Sequence, residues 1–314
     1  MLVTAITFLG ALALLLFSAS FFTNAAERIG AWMGLSPFVI GVFIVGIGTS
    51  LPELVAAVLA VQAGISEIVP GNVIGASISN LLLVTGVVAV LARPEVKLGS
   101  QYILIDLHYL VGAFFVFWLV AHDGLITWPE ALFGVLAFVV YSIYLIRHGG
   151  AEVSEGLVTA KPERGALPVK DLAVLLATSV GIYFGADHTV ASITTIAGLL
   201  ALPASLIALT VLSLGTTLPE LAVNITAIRQ GKAEMAVGNV LGSCIFNTLM
   251  VPAAGALVGP ITVPAELLSL SLPVMLGSGL FFYLLTLDKR ISRWEGWLFL
   301  VLYVLFIQQL AASV

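Results

Sequence analysis

Two stretches decide the fold: Gly48-Thr49-Ser50-Leu51-Pro52-Glu53-Leu54 and, 167 positions later, Gly215-Thr216-Thr217-Leu218-Pro219-Glu220-Leu221. The same gap-free offset carries Gly71-Asn72-Val73-Ile74-Gly75 onto Gly238-Asn239-Val240-Leu241-Gly242, and Asn80 onto Asn247. Between 48–84 and 215–251, 17 of 37 positions are identical, and the shared residues are Gly, Pro, Thr, Glu and Asn far more than Leu or Val. Two helices alike only in hydrophobicity would show the reverse. The chain therefore repeats itself in its polar residues.

Those polar residues sit in a very apolar chain. Of 314 residues, 60% are hydrophobic and 9% charged, against roughly 45–50% and about 25% in an ordinary soluble domain, which excludes a soluble globular protein. Apolar runs such as Leu2–Phe22 and Trp297–Ala312 exclude an outer-membrane barrel, whose strands alternate apolar and polar residues. At about 20 residues per span the length accommodates roughly ten helices and no sizeable soluble domain. The breaks predict helices near 2–22, 36–62, 68–91, 101–121, 127–147, 170–188, 203–229, 234–257, 264–286 and 294–312. The first run has no basic segment before it and is read as a helix rather than a signal peptide. The single cysteine, Cys244, leaves no intramolecular disulfide, and there is no basic face for nucleic acid.

The twelve Lys and Arg residues orient the helices, because cytoplasmic connections collect positive charge. Arg28 follows the first helix, Arg93 and Lys97 the third, and Arg147, Lys161, Arg164 and Lys170 the fifth. Arg229 and Lys232 follow the seventh, and Lys289, Arg290 and Arg293 the ninth. The other connections have none, so both termini are expected outside. The longest connection, 148–169, mixes Gly, Pro and charges of both signs and reads as a cytoplasmic linker. It separates five-helix repeats at 1–147 and 170–314. With an odd number of helices per repeat, the halves insert in opposite orientations. The predicted fold class is an all-α membrane protein, ten transmembrane helices as two inverted-topology repeats of five.

Interruptions at matching places in inverted halves point to a transporter's midplane site. Pro52 and Pro219 each remove a backbone donor and clash with the preceding turn, which Gly48 and Gly215 also weaken. Kinks there would turn carbonyls toward a buried site. Glu53 and Glu220 lie well inside apolar helices, where an ionised side chain costs at least about 2.5–3.5 kcal/mol and marks function. The glycines of the second motif are read as packing helix three on helix two and helix eight on helix seven. That places Asn80 and Asn247 near the glutamates, with hydroxyls from Thr49, Ser50, Thr216, Thr217 and Ser243. A cage of hard oxygens suits Ca2+ better than Mg2+, and two carboxylates neutralise one Ca2+ or two monovalent cations. Competition for those charges is a physical basis for exchange.

Other polar residues have plainer readings. Asn72 and Asn239 are as readily caps or cross-links between helices as part of the cage. Asp106 and His108 read as interface residues, and His122, His148 and His188 fall in connections. Trp118, Trp128, Trp294 and Trp297 are placed as interfacial anchors, and Cys244 as packing.

At this point the residues resemble a family. Gly48–Glu53 with Gly71–Asn80, and Gly215–Glu220 with Gly238–Asn247, are similar to the two alpha-repeats of the Ca2+/cation antiporter superfamily, nearest its prokaryotic sodium/calcium exchangers. The alpha-1 motif would span 46–84 and the alpha-2 motif 213–251. The resemblance implies alternating access, with Na+ entering down its gradient in exchange for Ca2+ at one central site. It implies that Glu53 and Glu220 bind both ions directly, that Thr49, Ser50, Thr216, Thr217 and Ser243 complete the sodium sites, and that helices one and six slide across the core. Two positions depart from the pattern. Asn247 stands where potassium-dependent relatives carry an acid, which argues against K+ co-transport. Ala76 stands where a serine is common and where the second copy has Ser243.

Proton/calcium exchangers share the fold and the paired glutamates and are the alternative; hydroxyls at Thr49-Ser50 and Thr216-Thr217 favour Na+. A channel or an intramembrane enzyme is a third class, but the inverted repeat favours a carrier and no Asp pair, Ser/His constellation or zinc motif supports an enzyme. No cofactor is expected beyond the transported Ca2+ and Na+, and no obligate protein partner besides the lipid bilayer. The expected location is a prokaryotic plasma (inner) membrane.

Overall fold

The computed structural model describes residues 2–92, 95–98, 107–148, 168–199 and 204–313. The described chain is a helical bundle: α1 (Leu2–Met33), α2 (Pro37–Gln62), α3 (Ile68–Leu91), α4 (Leu107–Ala121) and α5 (Trp128–His148), then α6 (Val169–Leu199), α7 (Ala204–Arg229), α8 (Ala233–Ala256), α9 (Leu267–Leu285) and α10 (Arg293–Ser313). Seven of these, α1, α2, α3, α5, α8, α9 and α10, are long and apolar enough to cross a membrane. Helices suit a hydrocarbon environment because each satisfies its own backbone polar groups.

Most boundaries agree with the sequence to within a few residues, and two do not. Helix α1 runs to Met33 rather than residue 22, and α6 to Leu199 rather than 188. Glu27, Arg28 and His188 are therefore on helices, not in connections. The extra turns of α1 are held by packing and charge: Ala25 and Ala26 are fully buried, and Arg28 pairs with Asp171 of α6 at 2.6 Å. Arg93, Asp106, Lys161 and Arg164, and most of the expected linker, fall outside the described residues.

Helix α8 is the centre of the bundle, with 94% of its span buried, whereas α5 and α10 bury 22% and face outward. It packs against α2, α3, α4, α5 and α7. Its residues explain the position: small and polar groups such as Gly238, Asn239, Gly242, Ser243 and Asn247 are poor lipid contacts but good helix contacts. The α2–α8 crossing is the tightest. A Cβ on Gly238 would land on the Phe38 carbonyl oxygen, one on Gly242 on the Val42 oxygen and one on Gly41 on the Met235 oxygen, while one on Gly46 would lie 3.0 Å from the Ser243 nitrogen. This corrects the sequence reading, in which Gly238 and Gly242 pack α8 on α7. They pack it on α2, because the close contact runs between the two copies of the motif rather than within one. Gly71 meets only Leu267 Cδ1, at 3.7 Å, and Gly75 meets nothing within 4 Å among the described residues.

The repeat is visible in local geometry. At the end of α2, Gly64 takes a left-handed φ of 76°, with Gly64 N–H donating to Val61 O and Ile65 N–H to Ala60 O. At the end of α7, Gly231 takes 75°, with Gly231 N–H donating to Ile228 O and Lys232 N–H to Ala227 O. Both are glycine-terminated Schellman caps, offset by the same 167 positions. Two short antiparallel ladders join the chain's halves: β1 (Val96–Lys97) pairs with β4 (Arg290–Ile291), and β2 (Leu125–Ile126) with β3 (Ile261–Thr262). In each, one facing pair is fully buried: Val96 with Ile291 and Ile126 with Ile261.

Helices α1 and α6 lie along each other, with Gly185 against the Leu15 backbone and Gly181 against Ser18. The pair rests more extensively on α7 than on α2. Lys232 ties the α7–α8 connection to α1, its ammonium donating to Glu27 Oε2 and Asn24 Oδ1, both at 2.8 Å. Gln230 adds a hydrogen bond to the Ser20 hydroxyl at 3.3 Å.

Replacing Gly238 or Gly242 by Ala is expected to lower stability by about 1–3 kcal/mol through overpacking, measured as a fall in the thermal midpoint of the detergent-solubilised protein. Gly10→Ala, at an exposed helical position with open space around it, is expected to produce no fall.

Candidate cation-binding site

The repeated motifs converge where α2 and α7 meet α3 and α8. Helix α2 supplies Thr49, Ser50 and Glu53, all buried. Helix α7 supplies Thr217 and Glu220, each 1% exposed. Helix α3 supplies Asn80 and α8 supplies Asn239, Ser243 and Asn247, again buried. The Thr216 side chain lies outside the described residues.

Helix α2 remains α-helical through Pro52, and its irregular turn is a π-helical segment, Gly41–Gly46, that ends six residues earlier. There the Gly46 carbonyl accepts from both the Thr49 and the Ser243 hydroxyls, at 3.3 Å each. Asn80 lies in a second π-helical segment, Ser79–Val84. Such turns redirect backbone and side chains at functional sites. Helix α7 shows no such turn at Pro219, where it is continuously α-helical.

Around Gly46 the polar groups bond to one another. Thr49 and Ser243 hydroxyls lie 3.4 Å apart, and each lies 3.3 Å from Asn239 Oδ1. Asn239 is thus a cross-link between helices rather than a cap. Its Nδ2 donates to Asn224 Oδ1 at 3.0 Å. Asn224 is a member of the site that reading the sequence missed. The signal was there: it follows Glu220 by one helical turn and breaks the repeat, since its counterpart is Ala57.

A second set of buried polar atoms at the site has no protein partner: Ser50 Oγ, Glu53 Oε2, Asn80 Oδ1, both Glu220 oxygens, Asn224 Nδ2 and both polar atoms of the Asn247 amide. Burying such atoms unpaired is costly, more so when charged. Among the described residues no Lys or Arg forms an ion pair with either glutamate; the pairs present are peripheral, such as Arg28–Asp171 and Lys232–Glu27. Nor do three His, Cys, Asp or Glu side chains cluster among them. The unpartnered donor set is thus two carboxylates with amide and hydroxyl oxygens, which fits a hard cation supplied from solution.

Comparison with known proteins agrees. The model of the sodium/calcium exchanger protein family matches residues 3–147 and 170–309. The chain belongs to the sodium/calcium exchanger family. It is 32% identical to the putative antiporter CaxA of Alkalimonas amylolytica, over 97% of both chains. It is 29% identical to the sodium/calcium exchanger MaX1 of Methanosarcina acetivorans, over 92% of this chain and 93% of that one. Its structure matches that of the sodium-calcium exchanger NCX_Mj with a TM-score of 0.83, at 28% identity over 98% of each chain. Family membership makes the protein an integral membrane antiporter of the cation/Ca2+ class rather than an enzyme.

Cys244 is buried, its thiol 3.9 Å from the Ser77 carbonyl. Trp128 and Trp294 stand at the starts of α5 and α10, 63% and 84% exposed.

If the two carboxylates hold the transported ion, Glu53→Gln and Glu220→Gln should each reduce 45Ca2+ uptake into proteoliposomes to background. Both variants should still elute as folded, monodisperse protein on size exclusion. Uptake at the wild-type rate by either would remove that glutamate from the site.

Proposed function

We propose that this chain exchanges Na+ for Ca2+ by alternating access at one midplane site built on Glu53 and Glu220. The observation that carries the reading is the pair of buried carboxylates with no cationic residue to neutralise them among the described residues. A charge of −2 in this setting demands one Ca2+, two monovalent cations or protons, and alternation among these is exchange. Asn80 and Asn247 would add amide oxygens. Thr49, Ser50, Thr216, Thr217 and Ser243 would add the hydroxyls that Na+ coordinates and a proton does not need. The ions are cargo, and no resident cofactor enters the scheme.

Architecturally, the reading has five helices in each repeat, 1–147 and 170–314, inserted in opposite senses about a cytoplasmic linker at 148–169. The matching Schellman caps support a structural repeat. So do the ladders: an offset of 167 carries β1 to within two residues of β3, and β2 to within two residues of β4, so that exchanging the halves turns one ladder into the other. The confinement of Lys and Arg to alternate connections supports an orientation with both termini outside.

Alternating access needs the α1/α6 pair to rest differently on the two halves. It does, lying more on α7 than on α2. The Lys232–Glu27–Asn24 tie also has no equivalent at the other end among the described residues, where Ile65 stands in place of Lys232 and Ala63 in place of Gln230. In the proposed orientation that tie closes the cytoplasmic side.

The test is 45Ca2+ uptake into proteoliposomes under three internal conditions: Na+, K+, or an outward proton gradient alone. Na+-loaded vesicles are expected to accumulate Ca2+ and the other two are not. Accumulation driven by protons alone would transfer the protein to the proton/calcium exchangers, and downhill flux without any counter-ion would make it a channel.

A further inference from the structure

The hydroxyls of Thr49 and Ser243 each lie 3.3 Å from Gly46 O and from Asn239 Oδ1, and 3.4 Å from each other, so two donors face carbonyl, amide and hydroxyl oxygens. The match works only while the Asn239 carboxamide presents its oxygen. Turned over, it would offer Nδ2, a donor, to both hydroxyls and take up lone pairs that they could otherwise give a cation. A hydroxyl that points its hydrogen into the site repels a cation; one that points it away offers lone pairs.

What fixes the Asn239 amide is Asn224, whose Oδ1 takes the Asn239 Nδ2 hydrogen at 3.0 Å. Both residues are fully buried, so water does not substitute as the acceptor. This arrangement is built once. The internal offset of 167 places Ala57 at the position of Asn224 and Ala76 at that of Ser243, so the first copy lacks both the orienting amide and one of the hydroxyls.

We propose that Asn224 is a positioning residue for a single monovalent-cation subsite: by holding the Asn239 oxygen against Thr49 and Ser243, it keeps their lone pairs turned toward the ion. The proposal rests on the Na+/Ca2+ exchange reading above and deepens it. It makes the Thr49–Ser243 subsite selective for Na+, while Ca2+ depends chiefly on the glutamates. Asn224 touches no ion and acts through Asn239.

The experiment compares wild type, Asn224→Ala and Asn224→Asp in proteoliposomes, measuring 45Ca2+ uptake against internal Na+ and, separately, against external Ca2+. Asn224→Ala is expected to raise the Na+ concentration for half-maximal uptake about fivefold, the size of one net hydrogen bond. The Ca2+ half-saturation and the maximal rate should change less than about twofold, well under one such bond. Asn224→Asp keeps the acceptor for Asn239 and is expected not to raise the Na+ half-saturation. Should Asn224→Ala fail to fold, Asn224→Ser, which keeps a polar group but is too short to reach Asn239, should show the same Na+-selective loss. An unchanged Na+ half-saturation in a folded variant would overturn the proposal, as would equal losses for both ions or a fall in maximal rate alone, which a merely structural role would give. Wild-type uptake that does not respond to internal Na+ would instead overturn the exchange reading, and the proposal with it.

Discussion

Everything in this structure is organised around two negative charges placed where the chain provides no positive one. An ionised carboxylate among apolar helices costs several kcal/mol unless something compensates it. Glu53 and Glu220 are both buried, with no Lys or Arg paired to either among the described residues. A soluble protein would neutralise such a pair with arginine or avoid it. On the proposed reading a carrier leaves the compensation to its cargo, so that one ion leaves only as another arrives.

Bringing two helices' carboxylates together requires backbones to approach more closely than ordinary side chains allow. The glycines of α2 and α8 provide such an approach between the helix of Glu53 and the helix of Asn239, Ser243 and Asn247, and the Gly46 carbonyl lies within reach of the Thr49 and Ser243 hydroxyls. The same architecture separates a buried centre, α8 with α3, from the α1/α6 pair, which rests on α7 and α2. The pair is secured at one end by partly exposed ion pairs and hydrogen bonds. Surface pairs of this kind contribute at most about 1 kcal/mol each, which is enough to bias an equilibrium between two arrangements and small enough to be released.

Much of this was legible in the sequence because lipid simplifies the problem: apolar length gives the helices, and a polar residue inside one needs a reason. The recurrence of Glu53 and Glu220 in matched motifs gave that reason, and the structure buries both with Thr49, Ser50, Asn80, Ser243 and Asn247. The partners of the glycines were not legible. Spacing shows that Gly238 and Gly242 line one face of α8, but not which helix lies across it, and the neighbour in sequence is not the neighbour in space. The π-helical turn was also hidden, since proline announces a weakened turn at Pro52 and the ladder adjusts in a segment that ends six residues earlier. The extended ends of α1 and α6 were missed because Glu27 and Arg28 look like loop residues until Lys232 and Asp171 are seen beside them. Asn224 escaped because attention went to what the repeats share, and its role lies in what they do not.

The most direct test of the central claim is cation-dependent thermal stability of the purified protein. A ligand that binds only the folded state stabilises it in proportion to the logarithm of its concentration. The account predicts that Ca2+ raises the unfolding midpoint of the wild type, that Na+ competes for the same shift, and that a Glu53→Gln/Glu220→Gln double variant loses the response while remaining folded. A double variant that kept the full Ca2+ shift would place the ion elsewhere and contradict the account.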